Sequence, residues 1–207
     1  MANRSDNFNR ADSTTTLGTP SDGGSAWSVL GGTFGILSNE AYKVSTAAAW
    51  DIAVLEASSA NVEVQATASQ YGTTEPRAGV AFRVVDTNNW FAAIFYGSYV
   101  VLNKNVGGSI TEVTSAFASI TATDTIKAVA NGNSLSVYRN GALVLGPVTD
   151  STHNTATQHG IVAVHQDSGT TNGYKFRHDD FSITDLGGGS WFTRDRKRTY
   201  MLPRLRR

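Results

Sequence analysis

Apolar and polar residues alternate with period two along much of the chain. The alternation is sharpest over Ala78-Gly79-Val80-Ala81-Phe82-Arg83-Val84-Val85-Asp86, where Ala78, Val80, Phe82 and Val84 fall on one face of a pleated strand. After a short polar gap, Asn88-Asn89-Trp90-Phe91-Ala92-Ala93-Ile94-Phe95-Tyr96 is apolar on both faces, as a strand enclosed on two sides must be. Val62, Val64, Ala66 and Ala68 alternate against Glu63, Gln65, Thr67 and Ser69, which predicts a half-exposed antiparallel strand. Ala47 to Ala57 is ambiguous, because the spacing of Trp50, Val54 and Ala57 also suits a helical turn or two; we assign it as strand.

Turn chemistry orders these pieces. Thr125 to Ala130, Leu135 to Arg139 and Ala142 to Leu145 are separated by Asn131-Gly132 and Asn140-Gly141, and Asn-Gly accepts the positive φ angles that tight hairpins need. Two in succession predict an antiparallel meander. Tyr99 to Lys104 and Ile110 to Thr114 form another expected pair around Gly107-Gly108. Nearer the N-terminus, Trp27 to Leu30 and Thr33 to Leu37 are expected strands joined at Gly31-Gly32, followed by Ala41 to Val44. Ile161 to His165 and Tyr174 to Ile183 supply the last strands, with a bulge expected at Asp179-Asp180. About a dozen strands suit a two-sheet jelly roll.

At 207 residues the chain accommodates one such domain with extensions. It contains no cysteine, which excludes disulfides and thiolate metal sites. Charged residues make up only 16% of the chain and its formal net charge is zero. That zero conceals a division. Residues 1 to 186 hold ten Lys or Arg against sixteen Asp or Glu, whereas residues 187 to 207 hold seven against one, so the basic excess is confined to one end. The expected organisation is a sandwich over 1–186, a Gly-rich linker over 187–190 and a basic, aromatic extended tail over 191–207. The polar start Met1 to Asn7 has no apolar run of signal-peptide length behind it, and no stretch approaches the roughly 20 apolar residues of a membrane span.

The segments Asp6-Asn7-Phe8-Asn9-Arg10-Ala11-Asp12, Trp27 to Ile36, Ala78 to Phe91, Leu135 to Gly141 and Asp179-Asp180-Phe181-Ser182-Ile183 together resemble the concanavalin A-like, laminin-G-like jelly rolls. They are especially similar to those appended to phage virion proteins and bacterial surface proteins. The likeness spans residues 6 to 184 and rests on strand and turn signatures, which speak to fold more than to function. It implies an all-β, antiparallel two-sheet sandwich whose concave face holds glycans in some relatives and in others spaces or decorates a particle. Some relatives are glycosidases with a Glu-x-Asp-x-x-Glu strand. None of the five glutamates here, Glu40, Glu56, Glu63, Glu75 and Glu112, stands in that pattern.

Candidate chemistry is correspondingly sparse. Glycoside hydrolysis needs two carboxyls aimed across one bond, and Glu63 with Asp51 reads better as ordinary exposed strand carboxylates. His153, His159, His165 and His178 lack zinc-ligand spacing. A calcium site would draw on Asp6 near the first strand and Asp179 or Asp180 in the last, which approach if the terminal strands pair, because hard cations want such oxygens. A glycan site would draw on Arg83, Asn88, Asn89, Trp90, Tyr96 and Tyr99, which combine ring faces with planar hydrogen-bonding groups, although strand tryptophans commonly serve as core. In the tail, Trp191, Phe192, Arg194, Arg196, Arg198, Tyr200, Leu202 and Arg204 mix anchors and cations, a docking-peptide composition rather than a nucleic-acid or purely solubilising one.

The leading expectation from these features is a non-enzymatic phage virion protein, a minor tail or capsid decoration protein. It would be made in the host cytoplasm, released by lysis and held in a multi-copy assembly by its tail. Its partners would be other virion subunits and a host surface glycan, with no membrane and no nucleic acid. The alternative is a bacterial carbohydrate-binding module acting beside an enzyme.

Overall fold

A computed structural model of the chain describes residues 3–44, 49–70, 77–121, 123–165 and 176–187. The expected tail 191–207, with its docking residues, and all but the first residue of the linker lie outside the described residues.

Fifteen strands run through the described residues: β1 (Arg4–Asp6), β2 (Ser28–Val29), β3 (Phe34–Leu37), β4 (Glu40–Lys43), β5 (Ala49–Glu56), β6 (Val62–Gln70), β7 (Ala78–Asp86), β8 (Asn89–Tyr96), β9 (Tyr99–Val106), β10 (Ser109–Phe117), β11 (Thr125–Asn131), β12 (Ser134–Arg139), β13 (Ala142–Thr149), β14 (Gln158–His165) and β15 (Phe176–Asp185). They form two antiparallel sheets. One has the order β13-β12-β11-β6-β15-β4-β3, with β1 also pairing with β15; the other has the order β10-β9-β8-β7-β14-β5-β2. The segment around Trp50 is strand, as assigned. By contrast, β2 and β3 do not pair across Gly31-Gly32: β2 joins β5 in one sheet and β3 joins β4 in the other. That connection crosses between layers instead of closing a hairpin.

The period-two pattern decides which residues meet between the layers. Val62, Val64, Ala66 and Ala68 of β6 are buried there, together with Ala78, Val80 and Phe82 of β7, Phe91, Ala93 and Phe95 of β8, and Phe181 and Ile183 of β15. Trp27 packs between Phe8 and Phe181, with ring centroids 5.8 and 4.9 Å apart. The hairpins follow their turn residues. Asn140 and Gly141 both have positive φ in a two-residue loop between Arg139 and Ala142. The first meander turn is centred one residue later than expected, on Gly132-Asn133, since Asn131 pairs with Ser134 and only Gly132 takes positive φ. The bulge expected at Asp179-Asp180 is present as a register shift between Asp179 and Ser182, with Asp180 at φ 47.

Candidate functional site

The site is built on the outer face of the seven-stranded sheet, the face turned away from the second layer. Directly opposed residues on antiparallel strands point to the same face. The register therefore lays out rows across β8, β9 and β10: Tyr96, Tyr99 and Phe117; Ile94, Val101 and Ser115; Ala92, Asn103 and Glu112; Trp90, Asn105 and Ile110. The first row is exposed in all three of its members. Tyr96, Tyr99 and Phe117 are 37%, 47% and 72% exposed, whereas Trp90, Ala92, Ile94 and Val101 lie in a second apolar cluster with Ile52, Val54, Ala81, Val84, Val162 and Val164. The result is an aromatic ledge at one corner of the face, with Ile110, Glu112 and Ser115 of β10 also exposed along its edge.

The ledge has defined geometry. Tyr99 and Phe117 meet edge to face at 5.9 Å and 88°. The Arg77 guanidinium lies over the Tyr96 ring, 4.6 Å from its centroid, which orients that ring and sets a cation beside it. Further along the face, Ser115 Oγ donates to Glu112 Oε1 at 2.6 Å, and the Asn103 and Asn105 side chains sit in the neighbouring strand. Exposed ring faces with a cation beside them and a hydroxyl and carboxylate further along the same strand are the ingredients of a saccharide-binding surface.

Of the six residues expected to bind glycan, the fold brings together only Tyr96 and Tyr99. Asn88 and Asn89 belong to the turn at the opposite end of β8, roughly 23 Å away along the strand. There Asn88 N–H and the Asn89 amide donate to Asp86, holding its carboxyl below the usual range, and Asn89 Oδ1 accepts from Gly107 N–H. Trp90 is fully buried, with its indole N–H on the Thr87 carbonyl and its ring 4.9 Å from that of Trp50.

Arg83 is also fully buried. It has φ 50 in an irregular stretch of β7, and its guanidinium donates to the carbonyls of Ala60 and Gly132 at 3.0 and 2.6 Å, tying the two layers together at one end. Its side chain clamps the layers and does not reach the sheet surface. Phe117 is the member that the sequence reading missed. Counting outward from the Gly107-Gly108 turn sets Tyr99 opposite Ala116; an extra residue at Val113 shifts the pairing to Phe117.

The acidic group expected to hold calcium does not fit a cation. β1 and β15 do pair, Asp6 standing opposite Phe181. The Asp6 carboxylate, however, is already saturated. One oxygen accepts from Phe8 and Ser21 N–H, the other from the Trp27 indole at 2.7 Å and from Arg10. Burial raises the pKa of Asp179, and repulsion from Asp180, Glu40 and Asp6 adds to it, while Asp180 is exposed beside an open groove of 330 Å³. Among the described residues no three His, Asp or Glu side chains form a metal-binding group.

The carboxylates weighed for hydrolysis are kept apart. Asp51 is not the exposed carboxylate expected: it is buried between the layers, where an ion pair with Lys43 at 2.7 Å compensates its charge, and Glu63, half-buried in β6, pairs with Lys127 at 3.0 Å.

The fold has well-defined counterparts. Similar solved structures include the carbohydrate-binding module CBM66 from Bacillus subtilis, with a TM-score of 0.60 at 16% identity over 74% of this chain and 91% of that one. The exoplasmic/lumenal domain of VIP36 in its Ca2+/Man-bound form gives a TM-score of 0.55 at 12% identity, covering 83% and 89% of the two chains. The GH43 BlXynB protein from Bacillus licheniformis is matched over only 32% of its length, at a TM-score of 0.51 and 16% identity. No protein-family profile matches the chain, and neither does any curated protein sequence. At these identities the likeness is one of fold: the chain is a jelly-roll sandwich resembling those of carbohydrate-binding modules and lectins.

Proposed function

We propose that this protein is a non-catalytic carbohydrate-binding module whose ligand stacks on the Tyr96, Tyr99 and Phe117 ledge. The observation that carries this reading is the row of three exposed aromatic rings on adjacent strands of one sheet face, bordered by Arg77 on one side and Glu112 and Ser115 on the other. Exposed rings in line leave apolar surface in water beyond what their cross-strand contacts cover; a sugar's apolar C–H face would cover it while its hydroxyls reach the polar border. The fold likeness supports this reading, which stood second on the sequence. It lends no support to a virion role.

The test is a glycan array followed by calorimetry on the strongest hit. Tyr99→Ala is expected to weaken binding about tenfold or more, as loss of a central aromatic anchor does, with the unfolding midpoint little changed. Binding that is indifferent to Tyr96, Tyr99 and Phe117 together would falsify the assignment.

A further inference from the structure

We infer that β10 is a self-complementary edge through which two copies of this chain pair, joining their seven-stranded sheets into one. A sheet edge with unpaired N–H and C=O groups recruits another strand unless it is shortened, covered or interrupted. The other edges here are managed in those ways. β2 is two residues long. β3 is covered, since Ser13 exchanges both backbone hydrogen bonds with Ile36. β13 carries Pro147, which has no N–H, and two register shifts against β12. β10 is nine residues long, with the sequence Ser109-Ile110-Thr111-Glu112-Val113-Thr114-Ser115-Ala116-Phe117, and contains neither proline nor lysine.

Its one irregularity creates the match. Val113 is the extra residue, so the outer face carries Ile110 and Glu112 before it, and Ser115 and Phe117 after it. Val113 and Ala116 pack toward the core. The pattern is thus symmetric about the Val113–Thr114 peptide. A two-fold axis there sets Ile110 opposite Phe117 of the second copy and Glu112 opposite Ser115 of the second copy, keeping outer-face residues on the outer face. Shifting that register by one residue would set outer against inner positions.

The hydrogen-bond phase agrees. Val106 and Ser109 flank a two-residue turn, so their peptide groups face each other, and alternation continues on the far side of Val113 to the observed bond from Ala118 N–H to the Ser98 carbonyl. The peptide groups of Ile110, Glu112, Ser115 and Phe117 therefore point away from β9. These same four residues would exchange roughly eight hydrogen bonds across the axis.

The side chains suit a second copy of this strand. Ile110 and Phe117, 40% and 72% exposed, cover each other twice. The strand's single charge, Glu112, meets a hydroxyl of the kind it already accepts from within its own chain, not another carboxylate. In the paired assembly the Tyr96 and Tyr99 rings of both copies stay open on one continuous face, while Ile110 of the second copy covers part of Phe117.

Analytical ultracentrifugation of the full chain over a concentration series tests the pairing. The expected species is a reversible dimer, twice the 22.0 kDa of one chain. Ser115→Pro removes an outward N–H, and Ile110→Lys replaces an apolar interface side chain with a strongly hydrated ammonium, the residue by which natural sheet edges block pairing; each is expected to weaken association tenfold or more with the unfolding midpoint of the dilute monomer unchanged. Leu143→Lys on β13 is expected to leave it intact. Amide exchange at Ile110, Glu112, Ser115 and Phe117 should be slow in the dimer and accelerate on dilution. If Ser115→Pro does not fold, Ile110→Lys and the exchange pattern decide. A chain that stays monomeric to its solubility limit, or an oligomer that survives both β10 substitutions, would overturn the inference.

Discussion

Two histidines show how a single side chain couples this fold to pH. The Nδ1 atom of His159 accepts the Arg83 backbone N–H at 3.1 Å, so its proton resides on Nε2, which donates to the Ser59 carbonyl at 2.9 Å. His178 is fully buried and donates from Nε2 to the Val162 carbonyl in the opposite layer at 3.1 Å. Burial lowers each to about 4 from the ordinary 6.5. Above pH 6.5 both rings are neutral in the folded and unfolded chains alike. Below it the unfolded chain takes up protons first, so stability falls as pH drops from about 6.5 towards 4, by up to about 3 kcal/mol per ring.

Asp124 adds a lower window. Burial opposes its ionisation, yet hydrogen bonds from Arg139, Thr121 and Asn140 outweigh that and hold it at about 2, so its contribution disappears between about pH 4 and pH 2. Urea denaturation at a series of pH values checks both windows; a stability unchanged between pH 7 and 4.5 would contradict the histidine account.

The Lys43–Asp51 pair makes a second prediction at this scale. Lys43→Met leaves a carboxylate buried between the layers and is expected to cost about 3–5 kcal/mol, whereas Lys43→Met with Asp51→Leu should recover most of that loss. Chemical denaturation of the single and double variants measures the difference.

At the scale of strands, the seven-stranded sheet depends on places where a side chain cannot be tolerated. A Cβ at Gly160 in β14 would overlap the Ala53 carbonyl of β5, and one at Gly79 in β7 would overlap that of Ala93 in β8. Backbone cannot yield as a flexible side chain can. Gly160→Ala is therefore expected to destabilise by about 2 kcal/mol or more, while Gly97→Ala, in open space at φ 57, should cost only about 1 kcal/mol. Thermal unfolding of the two variants ranks them.

β10 shows what pattern reading loses at this scale. Its residues alternate too weakly to locate an extra residue, so the shift at Val113 that brings Phe117 beside Tyr99 is invisible from sequence. The crossing at Gly31-Gly32 was misread for a related reason: two glycines mark a turn without saying whether the chain returns to its own sheet.

For the whole molecule, layering divides the aromatic residues into fasteners and ledge. Trp27 with Phe8 and Phe181, and Trp90 with Trp50, close the two apolar clusters; Tyr96, Tyr99 and Phe117 remain open. Ligand binding and unfolding should accordingly separate. Substitutions on the ledge are expected to change glycan affinity at constant stability, and Trp27→Ala is expected to lower stability by about 3 kcal/mol or more, as emptying a core ring site does. Calorimetric titration beside denaturation of the same variants shows whether the two properties part as described.

Local chemistry was enough to settle that this chain is all β, which faces of most strands meet in a core, and that the meander turns at its two Asn-Gly sites to within one residue. Those features follow from the two-residue period of a strand and from the few residue types that accept positive φ. Which polar and aromatic residues would be available to a ligand was decided only by tertiary structure. Arg83, Trp90 and Tyr99 have equally suitable chemistry in isolation, and it is the irregularity in β7, the stacking of Trp50 on Trp90 and the extra residue in β10 that bury the first two and leave the third beside Phe117. Exposure depends on what packs across from a residue, and that neighbour is tens of positions away in sequence.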